Sequence, residues 1–150
     1  MIQELWFEDF TPGQVIETAG VTLTEGMIIE FALVYDPQPV HLDRTAAEDS
    51  IFGGLIASGF QTLALSFRLL TQTGVMARAG LGGPGMDEVR WLRPVRPGDT
   101  LRARVTVTEA KPSRSKPDRG AVLMDLASTN QAGETVLTAK LVTFMRKRPA

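Results

Sequence analysis

Hydrophobic and polar positions change their spacing along this chain, and each change predicts an element. Residues 14–23 carry β-branched side chains and predict a first strand. Thr24 then precedes a segment in which Met27, Phe31 and Val34 recur at helical spacing, which predicts a helix capped by Thr24 and running to Val34. Asp43 predicts a second cap, on a short turn through Ala47, and Phe52-Gly53-Gly54 predicts a bend. From Gly59 onward Phe60, Leu63, Ala64, Phe67 and Leu70 share one helical face, with Leu65 and Leu69 widening it. A helix so apolar is expected to be buried.

Beyond the glycine-rich connection 74–85 the period becomes two. Residues 87–92 and 101–108 predict strands separated by the turn Pro94-Val-Arg-Pro-Gly-Asp99, and 121–129 and 136–145 predict two more around a hairpin turn at 130–134. Residues 111–119 predict a charged surface loop whose basic side chains form a solvated face. Phe7-Glu-Asp-Phe-Thr-Pro-Gly13 predicts an opening turn. Strand, helix, long loop, apolar helix and a run of antiparallel strands make an α+β pattern, and the length of 150 residues predicts one domain, 1–150.

Composition narrows the function. Sixteen Lys and Arg against 17 Asp and Glu leave a net charge of −1, with no basic stripe interleaved with aromatics, so neither nucleic acid nor a membrane surface is expected as a partner. With no cysteine and one histidine, the chain has no disulfide, no thiolate nucleophile and no Cys- or His-rich metal site. The first ten residues carry acids in place of a basic region, unlike a secretory signal. The uncharged run 50–67 is interrupted by glycine, serine, glutamine and threonine, so it reads as a buried element of a metal-free, cytoplasmic protein and not as a membrane span.

Candidate chemistry concentrates in Tyr35-Asp-Pro-Gln-Pro-Val-His41, which holds the only histidine five positions after an acid. The two prolines fix φ near −65° and disfavour helix in the residue before each, so Asp36 and His41 can be held facing one place. An acid and an imidazole so preorganised suit proton transfer near neutral pH.

The hexapeptide Asp36-Pro37-Gln38-Pro39-Val40-His41 resembles the hydratase motif of the MaoC-like dehydratases, the (R)-specific enoyl-CoA hydratases, whose core reads Asp-x-Asn-Pro-x-His. Asp36, Pro39, Val40 and His41 agree with it, as do Ala47 downstream and Phe31 and Leu33 upstream. The Phe-x-Asp-Phe-x-x-Gly opening and the turn at 94–99 are also typical of the family. Gln38 stands where the family has Asn, and Val34-Tyr35 where it usually has a small residue and Gly.

The resemblance implies a hot-dog fold, a curved antiparallel sheet wrapped around a central helix. It implies that the backbone amide of the glycine 18 places after the motif histidine, here Gly59, polarises the thioester carbonyl. Ser58 beside it, where a His is common, is expected on the same substrate side. A helix N-terminus offers unpaired N–H groups, and Gly permits close approach, which suits an oxyanion. Phe67 stands where some members have a Ser contacting the motif.

The implied reaction is reversible syn hydration of a trans-2-enoyl thioester, with Asp36 and His41 holding the water and Gln38 and Pro39 supporting them. No metal or other cofactor is expected, because the CoA or acyl-carrier thioester is substrate. A homodimer or a higher assembly of dimers, with the pocket at the interface, is likewise implied. Two rivals share the fold: a thioesterase, which usually has a carboxylate on the central helix where residues 59–70 have none, and a non-catalytic acyl-thioester binding subunit.

Overall fold

A computed structural model describes residues 4–150; Met1-Ile2-Gln3, at the start of the segment read as unlike a secretory signal, lie outside them. Strand β1 (Val15–Thr22) is followed by helix α1 (Glu25–Tyr35), the short helices α2 (Pro39–Leu42) and α3 (Arg44–Glu48), and helix α4 (Gly59–Gln72). Four strands complete the chain: β2 (Gly85–Trp91), β3 (Thr100–Pro112), β4 (Arg119–Thr129) and β5 (Thr135–Arg146). The α+β pattern is therefore observed, with a five-stranded sheet in the order β1-β3-β4-β5-β2 and antiparallel pairing at every junction.

The caps are chemically explicit. Thr24 Oγ1 accepts from the Met27 N–H at 3.1 Å and starts α1, and Asp43 Oδ1 accepts from the Ala46 N–H at 3.1 Å and starts α3, each satisfying a helix donor that has no intrahelical partner. The hairpin between β4 and β5 closes on Asn130, whose Oδ1 accepts from the N–H groups of Ala132 and Glu134, both at 3.0 Å. Gly133, at φ 76°, occupies the left-handed step there.

Along the sheet the period of two sorts side chains by face. Leu101, Ala103, Val105 and Val107 of β3, Val122, Met124 and Leu126 of β4, and Leu137, Ala139 and Leu141 of β5 are buried, and most of them join one core cluster with Phe7, Phe10, Leu23, Ile28 and Leu70. Helix α4 lies against β1 and β3.

Three expectations are corrected. The uncharged run 50–67 is not one element: it is irregular before Gly59 and helical after it, and Ile51 within it is 96% exposed. The loop expected over 111–119 is shorter, because β3 extends to Pro112 and β4 begins at Arg119, where Lys111 pairs with Ala121 and Pro112 with Gly120. The apolar stripe of α4 is only partly inward: Leu70 joins the core and Leu63 and Phe67 pack against it, but the stripe's first turn does not. Ser58 at its cap and Gln61, Thr62 and Ser66 within it are buried, while Phe60 is 61% exposed and Ala64 is also exposed. Ser66 meets the sheet through a hydroxyl: its Oγ accepts from Ser128 Oγ of β4 at 2.6 Å while donating to the Thr62 carbonyl at 2.7 Å.

Candidate active site

The site begins where α1 stops. Asp36 is the C-cap of α1, its N–H donating to the Ala32 carbonyl at 3.0 Å. Gln38, at φ −82° and ψ 142°, is extended, as the residue before a proline must be. Pro39 then opens α2 at a position where its missing N–H costs nothing. The expected stiff loop is thus half helix: His41 sits on α2, one turn after Pro39.

His41 is 5% exposed. Its Nδ1–H donates to the Ile56 carbonyl at 2.8 Å, a bond that assigns the tautomer because a carbonyl oxygen only accepts. Ile56 is itself fixed by its N–H donating to the Val40 carbonyl at 3.1 Å. The basic nitrogen, Nε2, is left facing Asp36 Oδ2 at 3.3 Å. The carboxylate has its own supports: Gln38 Nε2 donates to Oδ1 at 2.7 Å and Ser58 Oγ donates to Oδ2 at 2.6 Å. The Ser58 bond first, then Gln38 and the neighbouring imidazole, hold the Asp36 carboxyl below its ordinary value and outweigh its partial desolvation.

Gly59 is the first residue of α4, with Ser58 as N-cap. Its N–H has no acceptor among the described residues, as expected for the first turn of a helix. Asp36, Gln38, His41, Gly59, Thr62 and Trp91 line one cleft of about 480 Å³. The sequence-predicted acid, base and oxyanion donor are therefore brought together.

Ser58 is placed differently from expectation. It is fully buried and turned onto Asp36, so its hydroxyl supports the acid and does not face substrate space. Phe67 is also away from the motif, lining a separate cavity of about 330 Å³ with Met76, Met86 and Leu141.

Sequence reading passed over Trp91. It ends edge strand β2, and its indole Nε1–H donates to the Gly59 carbonyl at 2.7 Å. A Cβ on residue 59 would lie 2.5 Å from the indole, so any side chain there would have to displace the half-exposed Trp91. The only local signal was a large aromatic at the end of a predicted strand.

Residues 8–129 match the MaoC like domain. The chain belongs to the MaoC-like dehydratase family. A MaoC-like dehydratase of known structure from Rhodospirillum rubrum is 39% identical, superposes with a TM-score of 0.90 and corresponds over 97% of this chain and 99% of its own. The (R)-hydratase PhaJ1 of Pseudomonas aeruginosa is 27% identical with a TM-score of 0.78 over 98% of this chain and 89% of its own. An (R)-specific enoyl-CoA hydratase from R. rubrum is 32% identical over 73% of this chain and 74% of its own. The MaoC-like family thus includes hydratases and dehydratases, and this MaoC-like chain has the hot-dog fold.

Proposed function

We propose that this MaoC-like protein is an (R)-specific enoyl-thioester hydratase, adding water reversibly and syn across the C2–C3 double bond of a trans-2-enoyl-CoA or acyl-carrier thioester. The observation that carries the reading is the 3.3 Å approach of His41 Nε2 to Asp36 Oδ2, with the other imidazole nitrogen already committed to Ile56. A water beside the pair can donate one hydrogen bond to each. In hydration His41 Nε2 takes a proton from that water as its oxygen bonds to C3, while Asp36 holds the second hydrogen and fixes the direction of attack.

The π electrons of the double bond move onto the thioester oxygen, where the Gly59 N–H at the positive end of α4 stabilises the enolate. Return of a proton from the pair to C2 completes a 3-hydroxyacyl thioester, with the atoms of one water added. Dehydration runs the same steps backwards. The proposed reaction needs only proton carriers and an oxyanion donor.

The acyl thioester is the proposed substrate, and a homodimer or larger assembly of dimers the proposed form. Apolar residues on and beside the cleft support the assembly: Phe60, Trp91 and Leu92 are 61%, 48% and 55% exposed in the single chain, and β2 is an edge strand, an arrangement that favours pairing with another chain.

Incubation with a short trans-2-enoyl-CoA tests the reading. Loss of enoyl absorbance without free thiol, and oxidation of the product by an (R)-specific 3-hydroxyacyl dehydrogenase, are expected. Release of free thiol would make the protein a thioesterase, and saturable binding with neither change would make it a binding subunit.

A further inference from the structure

We infer that Ser58 is a positioning residue that joins the oxyanion helix to the acid of the water-activating pair; the inference rests on the hydratase reading of that site. It starts from the hydrogen-bonding capacity of one hydroxyl, which has one proton to give and two lone pairs. The Phe60 N–H donates to Ser58 Oγ at 3.2 Å, and an N–H can only donate. The proton of the hydroxyl is thereby free for Asp36 Oδ2, 2.6 Å away, and an ionised carboxylate can only accept.

The directions of the two bonds are thus fixed by chemistry, and they run from the first turn of α4 through Ser58 to the carboxylate. The helix N-terminus carries partial positive charge. Ser58 relays part of that polarity to the oxygen that faces His41 Nε2.

Geometry gives the consequence for catalysis. Asp36 follows the last residue of α1 and its side chain has two free torsions, so its backbone alone does not orient it. Gln38 holds Oδ1 from an exposed position. Ser58 holds Oδ2 from full burial. The buried donor cannot exchange its acceptor for bulk water, so it is the one that sets the carboxylate plane and the remaining lone-pair direction of Oδ2 toward the reacting water. The backbone of Ser58 is pinned in turn, because its carbonyl accepts from the Thr62 N–H at 3.1 Å.

The test uses Ser58→Gly, because glycine is well tolerated at a helix N-cap, so the fold is retained while the hydroxyl is lost. Ser58→Thr restores a hydroxyl. Loss of a hydrogen bond to a charged group supports a fall in kcat of roughly tenfold or more for Ser58→Gly with KM held within about twofold, and a recovery toward wild type in Ser58→Thr. In an Asp36→Asn background Ser58→Gly is expected to cost almost nothing further, because the serine acts through the carboxylate. Turnover of Ser58→Gly equal to wild type, or an equal loss in the Asp36→Asn background, overturns the inference.

A second readout does not depend on turnover. His41 is the only histidine, so its imidazole gives unambiguous NMR resonances, and protonation of the adjacent Asp36 registers in them as a separate step at acid pH. Removing the Ser58 bond is expected to move that step to higher pH. An unmoved step overturns the inference, whereas a wild-type protein that fails to hydrate any enoyl thioester, yet shows the moved step in Ser58→Gly, overturns the hydratase reading alone.

Discussion

The indole of Trp91 and the backbone of Gly59 are built for each other: Nε1–H donates to the glycine carbonyl at 2.7 Å, and three ring atoms occupy the space within 2.9 Å of where a Cβ would stand. The edge strand β2 thereby closes over the first turn of α4, and a residue 32 positions away determines that position 59 carries no side chain.

Gly59→Ala should therefore lower the proposed enoyl-thioester hydration by displacing Trp91, not by unfolding the protein. The half-exposed indole can swing away, so the stability change is expected to stay within about 1 kcal/mol. Trp91→Ala in the same chain removes the obstruction, and the double variant should lose less than the sum of the single losses. Steady-state kinetics on the four proteins, with tryptophan fluorescence to follow the indole, checks this; strictly additive losses would contradict it.

Asp36→Asn preserves shape and removes charge, and His41→Gln removes the imidazole. Each should reduce turnover by roughly 10²–10⁴ while circular dichroism remains native. If both groups act on one water, as proposed, the double variant should be little worse than the poorer single one. A turnover change of less than about twofold in either single variant would assign the pair a purely structural role.

The depressed Asp36 carboxyl has a thermodynamic signature. Its folded value lies below the ordinary 3.8, so its contribution to stability is fully present above that value and is lost as pH falls through the depressed folded value. Urea midpoints of wild type and Asp36→Asn should therefore differ most near neutrality, and the gap should shrink at pH below 3.8. A gap constant with pH would show that the carboxylate contributes no charge-dependent stability.

Light scattering at micromolar concentration should give at least twice the 16.3 kDa chain mass. Leu92→Asp, which places a charge on the exposed apolar rim beside β2, should shift the mass toward the monomer. A wild-type monomer would remove the assembly from the proposal.

The parts of this molecule legible in the sequence are those whose causes are local. Thr24 and Asp43 cap the helices they precede, and the Asp36–His41 hexapeptide announces its own geometry because Pro39 enforces the turn that presents the imidazole. What escaped depends on partners distant in the chain. Ser58 and Asp36 are 22 residues apart, so a serine before a glycine gave no hint that its proton goes to the acid. The burial of α4 was legible only in part: an apolar stripe ordinarily marks the face toward a chain's own core, and Leu63, Phe67 and Leu70 obey that rule while Phe60 and Ala64 do not. Thr62 and Ser66 are buried beside the stripe, made acceptable by hydrogen bonds to the helix backbone and to Ser128.

The Ser66–Ser128 contact has a mechanical consequence. Two side chains this small make a short spacer between helix and sheet, with their hydroxyl oxygens 2.6 Å apart. Two helical turns separate that contact from Ser58, about 12 Å at 1.5 Å per residue. An isoleucine or leucine at position 128 should push α4 off the sheet, moving the Gly59 amide in the cleft and pulling the Ser58 hydroxyl from Asp36 together. The alignment of the proposed site is thus set in part by a serine on β4 that touches neither Asp36 nor His41, and loss of activity on substitution there would be a matter of leverage.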